Sequence, residues 1–160
     1  MLTQAELDVY TSKMSLSPCV CTTIRKAARA VSRFYDEAIE RTGMTTTHFA
    51  VLREVERAGM VTMSRVADAL IMDRTSLYRV IAPLLRDGLL QCTSSDDDAR
   101  AKCLAVTRLG KSRMVRAARE WEAAQARLVS HVGPREWQRL SASLLELAEQ
   151  VRTWTPEEIR

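Results

Sequence analysis

The chain has 160 residues, 46% of them hydrophobic and 28% charged, which suits one globular domain burying roughly 70% of its unfolded surface and excludes whole-chain disorder. The net charge of +4 favours an anionic partner, yet the cations are spread along the whole chain, so any case for DNA rests on placement rather than excess. No apolar run approaches the length of a membrane span or forms a secretory leader, and a soluble, cytoplasmic protein without a membrane partner is expected.

Glycine and proline are sparse and helical periodicity runs between them, so the fold class is mostly α, with a small β part. Ser17 and Pro18 read as an N-cap and a first helical residue. Val20, Ile24, Ala27, Val31, Phe34 and Ala38 then recur at helical spacing, predicting a helix to about Arg41 that Gly43 stops. Thr45 caps a second helix with Phe49, Leu52 and Val55 on one face, and Gly59 follows its end. Thr62 caps a third, carrying Val66, Ala67 and Leu70, and Asp73 caps a fourth, carrying Leu77, Ile81, Leu84 and Leu85. Only Ile71 and Met72 separate these last two. That is the spacing of a helix-turn-helix, whose second helix lays its first side chains in the major groove. Pro83 removes one intrahelical hydrogen bond and predicts a bend rather than a break.

Beyond Gly88 the runs L-L-Q-C-T and A-K-C-L-A-V-T flank the polar turn S-S-D-D-D-A-R, a β-hairpin that reads as a wing. Arg100 and Lys102 stand near its tip, with Asp96, Asp97 and Asp98 diluting their charge. Thr107 caps a long helix to about Val132, in which Met114, Ala118, Trp121, Gln125, Leu128 and Val132 repeat. Gly133-Pro134 ends it and opens the last helix, striped with Trp137, Leu140, Leu144, Leu147, Val151 and Trp154. One short hairpin cannot cover such stripes. Helices at both ends of the chain are expected to bury them against a second copy, forming a homodimer base from which two winged modules hang.

This order, with M-D-R-T-S-L-Y-R-V-I-A-P-L-L-R-D-G-L-L and D-D-D-A-R-A-K-C-L-A-V-T-R-L-G-K, resembles the MarR family of bacterial transcriptional regulators over nearly all of residues 16 to 153. The resemblance implies one domain over 1–160, with a winged helix-turn-helix part at 44–106 and dimerisation helices at 16–43 and 107–154. It also implies a homodimer on a pseudo-palindromic double-stranded DNA operator, usually a repressor released by a small-molecule effector or by cysteine oxidation. One departure stands in the wing, where Asp98 is followed by Ala99 before Arg100, while many family wings carry two successive arginines.

Tyr78 and Arg79 are the candidates for base edges, since arginine pairs bidentately with guanine and a tyrosine rim contacts the thymine methyl. Thr75 and Ser76 are assigned to phosphates, with Arg74 beside them; Ser76 as a cap partner and Arg74 as a solvated charge are the alternatives. Thr62 and Ser64 are further phosphate candidates or caps. Arg100 is expected in the minor groove, with Lys102 nearby.

For an effector of the aromatic or organic-acid type, Thr22, Arg25, Arg29, His48, Phe49 and Met72 offer cations beside apolar walls at the junction of base and module. Cys19 and Cys21 are redox candidates, because the start of a helix favours the thiolate at Cys19. Cys92 and Cys103 could face each other across the wing but read as small strand residues. The cysteines, His48 and His131 show no zinc spacing. No G-x-S-x-G, P-loop or glycine-rich cradle occurs, so no catalytic residue, metal or cofactor is expected. A winged-helix scaffold that binds protein rather than DNA is the remaining alternative.

Overall fold

The computed structural model describes Thr3, residues 19–94 and residues 102–155. The expected cap at Ser17-Pro18 and the wing tip with Arg100 lie outside these residues. Helix α1 spans Val20–Ile39 and continues as a 3-10 turn over Glu40–Thr42, closed by Gly43 at φ 72°, a backbone region that suits glycine. Helix α2 spans Thr46–Ala58, and the Thr45 hydroxyl accepts from the His48 N–H at 3.2 Å as expected of its cap.

Two helices then follow in close succession. Helix α3, Met63–Ala69, is capped by Thr62. Helix α4, Arg74–Arg86, is capped by Asp73, whose Oδ1 accepts from the Ser76 N–H at 2.8 Å. It passes Pro83 without a break, because the proline lies in its last turns, where few hydrogen bonds remain to be lost.

Strands β2, Leu90–Ser94, and β3, Lys102–Val106, form the hairpin. The sheet has a third strand that sequence periodicity did not show: β1, Val61–Thr62, pairs antiparallel with β3, placing Val61 opposite Leu104 and Thr62 opposite Cys103. Two residues are too few to display alternation. Cys92 and Cys103 are strand residues as expected, and register excludes the alternative that they face each other. Cys92 lies opposite Leu104 and Thr93 opposite Cys103. Neighbouring strand residues point to opposite faces, so Cys92 and Cys103 do not face each other; one is exposed and the other buried.

The core is the winged half. Val51, Leu52, Val55, Val66, Leu77, Ile81, Leu84 and Leu104 bring α2, α3, α4 and β3 into one cluster, with Ile39 of α1 and Met114 and Trp121 of the long helix α5 (Arg108–Val132) packed against it. The terminal stripes behave differently. Helix α1 buries only Tyr35 and Ile39, and among the described residues α6, Pro134–Thr153, buries none. Val20, Ile24 and Val31 on α1, and Leu140, Leu144, Val151 and Trp154 at the C-terminal end, stay exposed in a single protomer.

Candidate nucleic-acid interface

The starts of α3 and α4 and the first residue of β3 converge on one concavity of about 390 Å³, lined by Thr62, Met63, Ser64, Arg74, Leu77, Tyr78 and Lys102. Five of the nine residues expected at DNA therefore meet there from three separate elements. The fold explains the convergence. Pairing of β1 with β3 places Thr62 beside the base of the hairpin, and the short turn through Ile71 and Met72 sets the start of α4 against α3. Ile71 takes φ 52°, which is rare for a β-branched side chain, so the turn holds it against a local preference.

On α4, Arg74 and Tyr78 are one helical turn apart and share the row that lines the concavity; Thr75 and Arg79 form the next exposed row, outside it. Tyr78 is 52% exposed, so its ring is presented outward rather than used in the core. Thr62 Oγ1 accepts from the Arg65 N–H at 3.4 Å, which leaves its own proton to donate. Ser76 is different: its hydroxyl donates to Asp73 Oδ2 at 2.6 Å, so the single proton it would offer a phosphate is already engaged. In this conformation Ser76 acts as a cap partner. Met63 was not anticipated, because it reads as an ordinary helix residue until β1 turns it into the concavity.

The Asp73 carboxyl is held below its ordinary value, chiefly by the Ser76 hydroxyl and then by the Ser76 N–H. A depressed carboxylate adds stability that is complete above its unfolded-state value, about 4, and is lost as pH falls through the lower folded-state value. Asp73→Asn caps without a charge and is expected to flatten the acid limb of the stability profile. Urea titrations at several acid pH values check this; an unchanged limb would mean that other carboxylates set it.

The residues expected around an effector differ in their exposure within one protomer. Thr22, Arg25 and Arg29 stand on the exposed first half of α1. His48 borders a concavity lined by Asp36, Glu37 and Glu40, a wall that repels an organic anion, and burial lowers its pKa. Phe49 is a core residue, tilted against Trp121 with ring centroids 6.0 Å apart, and Met72 is half-buried against the core. Arg53 is a cation that does meet aromatic walls here, 4.9 Å from the Trp121 centroid and 5.7 Å from that of Phe49. The Phe49–Arg53 spacing of one helical turn was its only signal. Cys19 and Cys21 are both exposed at the start of α1, and hydrogen bonding from Thr22 lowers the Cys19 thiol below its ordinary value.

Known proteins share this arrangement. The sequence profile of the MarR family matches residues 42–101. The M. tuberculosis transcriptional regulator MosR, solved in complex with DNA, is 34% identical, with 84% of this chain and 99% of that chain covered and a TM-score of 0.74. Two more distant structures share the fold: the transcriptional repressor CouR bound to a 23-mer DNA duplex (20% identity, 92% and 99% covered, TM-score 0.74), and a cysteine-to-serine variant of E. coli MarR complexed with operator DNA (18%, 80% and 92%, TM-score 0.73). No curated protein matches significantly. With helix-turn-helix, three-stranded wing sheet and flanking helices in the same order, the chain belongs to the MarR family of transcriptional regulators.

Proposed function

We propose that the protein is a homodimeric repressor that binds a pseudo-palindromic DNA operator, with α4 in the major groove and the wing beside it. The observation that carries this is the concavity in which Thr62, Ser64, Arg74, Tyr78 and Lys102 converge. Hydroxyls and cations on its rim suit phosphates, while Tyr78 and, in the adjacent row, Arg79 suit base edges. Arg100 belongs to the minor-groove part of this reading. The structures of MosR, CouR and MarR with DNA support it by likeness. Selection from a random duplex library, followed by footprinting of the enriched sequence, tests it: two related half-sites protected about one helical turn apart are expected, and no enrichment would refute the reading.

Dimerisation follows from the stripes that one protomer leaves in water. Leu144→Glu, at the centre of the α6 stripe, is expected to give monomers in light scattering while leaving the winged half folded; a dimer of unchanged mass would place the interface elsewhere. Release by a small organic anion then calls for a site completed across the dimer, since Thr22, Arg25 and Arg29 are exposed on α1 while Phe49 is buried in the core.

A thiol switch is the second reading, favoured by the lowered Cys19 pKa and by the exposure of both thiols. The Cys19 thiolate would attack an organic hydroperoxide, giving the sulfenic acid and an alcohol. Attack by the Cys21 sulfur would then form a disulfide and release water. Peroxide is expected to release the wild-type protein from DNA and to leave Cys19→Ser bound. Release of Cys19→Ser at the same peroxide dose would exclude this switch.

A further inference from the structure

Three consecutive residues of α1 grip the rest of the molecule at one level. Phe34 lies beneath the Arg127 guanidinium of α5, 6.0 Å from its centroid. The Tyr35 ring stacks on Trp121 of α5 with centroids 6.0 Å apart, and its hydroxyl donates to the Gln125 side-chain oxygen. Asp36 reaches over the connecting turn, where its Oδ1 accepts from the backbone N–H of Thr46, the first residue of α2, at 2.6 Å. That N–H is one of the donors a helix start leaves without an intrahelical acceptor. The turn itself is held from both sides: the Thr42 hydroxyl donates to the Ile39 carbonyl at 2.6 Å. The Arg113 guanidinium lies 3.4 Å from where a Cβ on Gly43 would stand.

Phe34 and Tyr35 thus hold α1 to α5, while the Asp36 bond, with Ile39 in the core, fixes it to the winged half. This matters because α1 also carries an apolar face that a protomer leaves exposed. A loose joint at Asp36 would let each recognition helix swing relative to the dimer base. We propose that Asp36 is a positioning residue: its bond to Thr46 sets the separation of the two recognition helices and so makes the protein discriminate operators by half-site spacing. The proposal rests on the DNA-reading homodimer argued above. Half-sites fall on one face of the duplex only at whole helical turns, so a fixed separation penalises mis-spaced sites and a loose one tolerates them.

Two variants remove the bond from opposite ends. Asp36→Ala deletes the acceptor. Thr46→Pro deletes the donor while placing proline at a first helical position, where it is well tolerated, and it serves if Asp36→Ala fails to fold. Asp36→Asn keeps an acceptor oxygen and is the rescue control. Spin labels at exposed Arg86, introduced through a non-natural residue that leaves the cysteines untouched, report the distance between the two α4 ends without DNA. Wild type and Asp36→Asn are expected to give a narrow distribution, and the other two a broad one. Duplexes selected on the wild type, with the spacer lengthened by about 5 base pairs, half a helical turn, give the functional readout. Wild type and Asp36→Asn should lose about tenfold or more in affinity, whereas Asp36→Ala and Thr46→Pro should bind both spacings nearly alike. A distribution as narrow as wild type in the bond-deleted variants, or a spacing penalty they retain in full, overturns the proposal, as does a monomer. Failure of the wild type to select any duplex removes the DNA reading alone, and the distances measured without DNA still decide the joint.

Discussion

Gly110→Ala is expected to destabilise the protein by about 3 kcal/mol and to lower its Tm by about 10 °C. Gly110 lies in the first turn of α5 and is buried. A Cβ there would stand 2.2 Å from the Leu89 carbonyl oxygen and 2.7 Å from Val106 Cγ1. The first obstacle is backbone, so no rotamer change relieves it. The close approach is imposed by Thr107, which ties the start of α5 to the segment after α4. Its N–H donates to the Leu89 carbonyl at 3.0 Å, its hydroxyl donates to the Gly88 carbonyl at 2.6 Å, and the same oxygen accepts from the Gly110 N–H at 3.0 Å. Helix propensity alone favours alanine by about 1 kcal/mol, so the two effects have opposite signs. Thermal unfolding followed by circular dichroism decides between them, and an unchanged or raised Tm would mean that α5 can lift from Leu89 without loss.

The second large effect concerns DNA. Tyr78→Ala and Arg74→Ala are each expected to weaken binding to a selected duplex by about 1–3 kcal/mol, roughly fivefold to 150-fold. Both side chains are exposed, so Tm should hold, since surface substitutions seldom move stability by more than about 0.5 kcal/mol. The partners in the same concavity should respond in different ways. Loss of the Tyr78 ring should act mainly on the preferred sequence. Lys102→Ala should weaken all duplexes alike and reduce the slope of log affinity against log salt by about one. Equal losses on preferred and scrambled duplexes for all three variants would reduce the concavity to a phosphate clamp without base readout.

The parts of the fold legible in the sequence were those written in local chemistry. Thr45, Thr62, Asp73 and Thr107 are caps because a hydroxyl or carboxylate three residues before a helical N–H satisfies it, whatever the rest of the chain does. The apolar stripes of α2 and α4 were equally plain, since their period is that of the helix. What escaped depends on contacts between distant segments. Strand β1 exists only because Val61 and Thr62 find β3 some forty residues later. The mismatch of Cys92 and Cys103 is a matter of register, which no spacing encodes.

The same distinction runs through the candidate sites. Thr62, Ser64, Arg74 and Tyr78 could be placed together because the helix-turn-helix fixes their geometry within a short stretch. The effector residues could not, because they draw on α1, α2 and the turn before α4, whose mutual arrangement is tertiary. Ser76 shows a subtler limit. Its position suits a phosphate and its hydroxyl suits Asp73, and only the hydrogen bond at 2.6 Å reveals which one takes the proton.

DNA reading by this concavity is tested by fluorescence anisotropy of the wild-type and Tyr78→Ala proteins against the selected duplex and a scrambled one, at two salt concentrations. Tight, salt-dependent wild-type binding that survives scrambled competitor is expected, with that preference lost in Tyr78→Ala while residual affinity for scrambled DNA persists. Wild-type binding no stronger to the selected duplex than to the scrambled one, or an unchanged preference in Tyr78→Ala, would contradict the assignment of this concavity to reading DNA.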